Sequence, residues 1–155
     1  MSVLRLSGDR KGASLLLLVL ISIFLAACTI TVSPTATPPV LEGVITGALS
    51  YPSDQIPPQQ VVATNLDSGE SYTVDTALDQ ATYSLPVPPG SYHVIAYVLS
   101  GESDYGGGYT EFVLCGLRAD CPSHDLVPVI VGPGETVTGI DLTDWYAPPG
   151  SFPSR

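Results

Sequence analysis

Between Glu42 and Thr143, short apolar or β-branched runs alternate with clusters of Gly, Pro and Asp, and this punctuation constrains the fold more than any other feature. Pro and Gly number 15 each among 155 residues. Proline removes a backbone donor and glycine adds chain entropy, so both interrupt helices. No segment sustains a helical period; the runs read instead as strands bounded by turns. They span residues 43–50, 60–66, 71–76, 81–87, 91–99, 109–115, 126–131 and 136–143. Asp67-Ser68-Gly69-Glu70 predicts a hairpin between the second and third runs. Pro86 and Pro88 point to an edge position or an early end for the fourth run, whereas 91–99, the longest run, is expected at a sheet centre. Tyr83 and Leu85 are expected to face Tyr92, Val94 and Ala96 on the next strand, around the Pro88-Pro89-Gly90 turn. Residues 101–108, GESDYGGG, read as a flexible loop. The last two runs read as a hairpin about Gly132-Pro133-Gly134-Glu135. The expected class is all-β, a single antiparallel β-sandwich of seven to eight strands.

The amino end has a different character. Arg5, Arg10 and Lys11 precede an apolar run, Ala13 to Ala27, too short for the roughly 20 residues of a spanning helix. It ends in Leu25-Ala26-Ala27-Cys28, which resembles the lipobox of bacterial lipoproteins. That resemblance implies a signal peptide at 1–27 and a diacylglyceryl thioether on Cys28, with the chain anchored to a membrane outside the cytoplasm. Residues 28–41, rich in Thr and Pro, read as an extended tether rising about 3 Å per residue. The sandwich would occupy 42–144 and an extended tail 145–155.

The stretches Ile45-Thr46-Gly47-x-Leu49, Val61-Val62-Ala63-Thr64 and Tyr83-Ser84-Leu85-Pro86-Val87-Pro88-Pro89-Gly90-Ser91-Tyr92-x-Val94 together resemble the carboxypeptidase regulatory-like domain. The likeness covers Glu42 to Leu99, and more loosely Tyr109 to Leu142. It implies a transthyretin-like, prealbumin-type sandwich of about seven strands. The acidic Gly-rich loop and the Cys115–Cys121 segment depart from that pattern.

Charge excludes several functions. The whole chain carries −10. Of its 15 acids only Asp9 precedes Cys28, and of its 5 basic residues only Arg118 and Arg155 follow it. Nucleic acid and anionic lipid both bind through Lys and Arg, so neither is an expected electrostatic partner. With no lysine beyond Lys11, Schiff-base chemistry is excluded there as well.

Candidate sites are few. Cys115 and Cys121, in an exported protein, are expected to form a disulfide, the rival being a metal site that adds His124. His93 reads as an ordinary strand histidine. Ser123-His124-Asp125 supplies triad residue types, but consecutive residues cannot fold back onto one another. Glu102, Asp104 and Glu111 are weak calcium candidates, weighed against solvated acids; Asp75, Asp79, Asp141 and Asp144 form similar clusters. Tyr97, Tyr105 and Tyr109, with Trp145-Tyr146, offer an aromatic platform for a sugar or caps on the core. No nucleophile elbow, zinc-protease helix or phosphate loop occurs, so the expectation is a non-catalytic surface module, without cofactor, that binds a protein or envelope partner. The alternative is a carbohydrate-binding module.

Overall fold

A computed structural model describes residues 40–100, 105–121 and 123–155, all within the compact unit Pro38–Arg155. The proposed signal peptide, Cys28 and most of the tether lie outside the described residues, as do Glu102 and Asp104. The strands are β1 (Gly43–Ala48), β2 (Gln59–Asn65), β3 (Ser71–Asp75), β4 (Thr82–Val87), β5 (Gly90–Val98), β6 (Gly106–Gly108), β7 (Val129–Val131) and β8 (Thr136–Val137). One helical turn, α1 (Glu111–Leu114), follows β6. The described chain is therefore all-β.

The strands form two sheets. One has the order β4-β1-β8; the other runs β3-β2-β5-β6, with β7 also paired to β5. In β4 the alternation is complete: Tyr83, Leu85 and Val87 point inward and Thr82, Ser84 and Pro86 outward. Its edge position suits Pro86, which has no N–H to give a second neighbour. β2 and β3 make the expected hairpin, Thr64 opposite Ser71. The Asn65 side chain closes its turn, accepting from the N–H groups of Asp67 and Ser68, both at 2.9 Å. β5 is the central strand, bonded to β2 on one side and to β6 and β7 on the other.

Several expectations are corrected. β4 and β5 do not pair; they lie in different sheets, so Tyr83 and Leu85 share a core with Tyr92, Val94 and Ala96 without being their cross-strand neighbours. β7 and β8 are not a hairpin either: β7 joins β5, and β8 runs parallel to β1, Val44 opposite Thr136. The fold is thus not purely antiparallel. A further parallel bridge, Leu49 to Leu142, carries this contact along β1, and Gly139 at φ 77° marks the bulge between the two contacts. Residues 111–114, expected in a strand, form α1 instead. Finally, Gly106–Gly108 is strand rather than loop.

That glycine strand has a packing reason. A Cβ on Gly107 would lie 2.5 Å from Trp145 Nε1, and one on Gly108 would lie 2.7 Å from Phe152 Cζ. Successive strand residues face opposite sides. Two aromatic rings therefore sit tightly on the two faces of β6, where any side chain would displace them.

The main core joins Ile45, Tyr83, Leu85 and Val87 of one sheet to Val61, Ala63, Tyr92, Val94 and Val131 of the other. A second, smaller cluster lies on the outer face of β5, where Ile95, Tyr97 and Phe152 are buried with Val62, Leu126 and Ala147 against them. Residues 145–155 are consequently not an extended tail. Trp145 belongs to the main core and Phe152 to the outer cluster. Tyr97 donates its hydroxyl to the Pro153 carbonyl at 2.5 Å. This cover explains why Val94–Val98 is buried without interruption: both faces of that stretch are packed.

Candidate functional site

Chemistry-bearing residues gather where β6, α1 and the segment before β7 meet. Cys115 and Cys121 are joined by a disulfide, as expected from their sequence. The bridge closes on a turn that is already well defined. Leu117 N–H reaches back to the Phe112 carbonyl at 2.9 Å, and Gly116 N–H to that of Val113 at 2.9 Å. This is the paired bonding by which a glycine in left-handed conformation ends a helix, and Gly116 has φ 73°. Leu117 follows at φ 57°, a region that side-chain-bearing residues seldom occupy.

Beneath this turn lies a buried carboxylate. Asp144 is fully buried. Its Oδ2 accepts from Thr110 Oγ1 and from His124 Nδ1, each at 2.7 Å, while Oδ1 accepts from the Tyr146 N–H at 3.2 Å. The three donors satisfy a group that would be costly to bury alone. They also tie three separate segments to one point. With Nδ1 engaged, Nε2 of His124 has no hydrogen-bond partner among the described residues. The ring stacks obliquely on Phe112 with centroids 4.8 Å apart, and Phe112 in turn meets Tyr146 edge-on at 6.3 Å. An open recess of about 730 Å³ lies alongside, lined by His93, Ser123, His124, Asp125 and Ser151 among others. Partial burial lowers the His93 pKa below its ordinary value.

The remaining sequence candidates scatter. Ser123 and Asp125 bond to each other at 3.1 Å, while the carboxylate that His124 engages is Asp144, 20 residues away. Separation in sequence hid this pair; His124 and Asp144 were each visible, but nothing local linked them. His124 is accordingly not a third ligand beside the bridged cysteines. Among the described residues no three His, Cys, Asp or Glu side chains are grouped to hold a metal ion. Glu111 is exposed on α1.

The three tyrosines do not make one platform. Tyr97 is buried in the outer cluster and Tyr109 lies half-buried against the main core. Burial pushes the Tyr97 pKa up to about 12, with Arg155 working against the rise. Tyr105 is the exposed member. It leans on Trp145 at 5.5 Å, and Tyr51 meets that indole edge-on at 5.0 Å. The indole itself is buried, which makes it a closure of the core rather than a sugar-stacking surface. Its Nε1 and the Oε1 of Gln59 are buried without a partner among the described residues.

No protein-family model, curated protein or solved structure matches the chain.

Proposed function

We propose that this protein is a lipid-anchored, non-catalytic binding head on the outer side of a bacterial membrane, held there through Cys28. The head is read as a transthyretin-like sandwich of the carboxypeptidase regulatory-like kind, and its work is to present loops to a protein or envelope partner. One observation carries the reading: Cys115 and Cys121 pair with each other, which leaves Cys28 as the third of three cysteines. A short-range disulfide suits an oxidising compartment. The remaining cysteine is the one that follows Leu25-Ala26-Ala27, where lipid attachment would need it. The turn braced by the disulfide is a loop prepared for contact, because the bridge and the turn bonds already hold its backbone, which needs little ordering on binding.

Feeding an alkyne-tagged fatty acid to a bacterial host that expresses the full chain tests the anchor. Label is expected on the wild type and on Cys115→Ser/Cys121→Ser, and is lost in Cys28→Ala. Mass spectrometry is expected to find Cys28 as the modified amino terminus. An unlabelled chain beginning at Met1 overturns the reading.

A further inference from the structure

We infer that the disulfide-braced turn is the contact surface for a protein partner whose own face is an apolar socket rimmed by lysine or arginine. This rests on the display reading above and adds the place and the partner's chemistry. Leu114 is 61% exposed, Leu117 39% and Tyr146 62%. Two of the three sit three residues apart on one short turn, and the third stands beside Phe112, which underlies that turn. Large apolar side chains gathered on a rigid projection mark an interaction site more often than scattered ones do.

The turn is held in shape before any partner arrives. The Cys115–Cys121 bridge, the two backbone bonds that end α1 and the Thr110–Asp144–His124 anchor all fix it. Leu117 lies in the left-handed region, where Gly or Asn would sit with less strain. An apolar side chain is thus kept outward at a position that local backbone preference would give to another residue. Such strain is concentrated at functional places.

Charge selects the partner. Arg118 is neutralised by Asp120 at 2.9 Å, which leaves the exposed carboxylates of Glu111 and Asp125 as the net charge around the leucines. No lysine follows Lys11 anywhere in the chain. An anionic bilayer is therefore repelled, and a basic rim is the complementary surface.

A random peptide library displayed on phage and selected on the immobilised full chain provides the test. The expected winners combine Leu or aromatic residues with Lys or Arg. Their binding is expected to weaken about tenfold or more in Leu114→Ser/Leu117→Ser. It should weaken severalfold in Glu111→Gln/Asp125→Asn, or on raising salt. Circular dichroism of both exposed-site variants confirms that they fold. Failure to enrich any family, winners without basic residues, or winners indifferent to the leucine substitutions each overturn the inference. A second arm uses zwitterionic phosphatidylcholine vesicles and the full chain carrying Cys28→Ala. Binding that falls with the leucine substitutions would make lipid the occupant and overturn it too. Loss of fatty-acid label without loss of peptide binding removes the anchor reading and leaves this surface standing.

Discussion

Asp144 illustrates how much one buried side chain can organise. It joins Thr110, at the start of α1, to His124, in the segment after the disulfide, and to the backbone where the carboxyl-terminal segment begins. Asp144→Ala leaves the buried Thr110 hydroxyl unpartnered and releases the histidine. It is expected to cost about 3 kcal/mol by denaturant titration. At alkaline pH a different residue reports. Burial raises the Tyr97 pKa to about 12, above its ordinary value of 10.0. A folded-state pKa above the unfolded one gives stability that is complete below pH 10 and lost as pH rises toward 12. Phenolate absorbance at 295 nm should therefore show Tyr97 and the more deeply buried Tyr83 titrating late; in Tyr97→Phe the late amplitude falls by one tyrosine and the loss of stability between pH 10 and about 12 shrinks.

Among the elements, those with strong side-chain patterns were legible and those without were not. β4 was readable because Tyr83, Leu85 and Val87 alternate with polar or turn-forming residues. β5 was readable as central from its length, and the 65–70 turn from its Asp-Ser-Gly composition. β6 was hidden because three glycines carry no side-chain signal, and their role is defined by the Trp145 and Phe152 rings packed against them. α1 is too short to show a period, and β-prone Phe112 and Val113 argued against it. The partners of β7 and β8 were hidden because adjacency in sequence suggested a hairpin, whereas each strand completes a different sheet. Two substitutions test these elements. Gly107→Ala pushes a methyl group into the indole and should destabilise by about 2 kcal/mol, with a change in tryptophan fluorescence. Cys115→Ser/Cys121→Ser should lose about 2 kcal/mol on the chain-entropy account, and proteolysis should begin within residues 116–120.

For the whole described unit, the decisive pairings are distant in sequence. Gly43 lies opposite Val87, and Val44 opposite Thr136. Such topology requires large loops to close before their contacts form, so folding is expected on the millisecond-to-second scale. Stopped-flow tryptophan fluorescence reads this directly through Trp145, whose burial needs the carboxyl-terminal segment in place. Sub-millisecond folding would contradict the expectation that these distant pairings limit the rate. The all-β class was legible at this scale because composition and punctuation are global properties. The candidate binding end was not, since it is assembled from α1, residues 115–121 and 123–125, and Asp144 only after the sheets exist.

The place of β1 between an antiparallel and a parallel neighbour bears on how the head would respond to traction. A force applied at Gly43 along the strand cannot peel one ladder open from its end. It must shear the β4 and β8 pairings together, so the strand by which the domain would hang resists traction through two ladders rather than one.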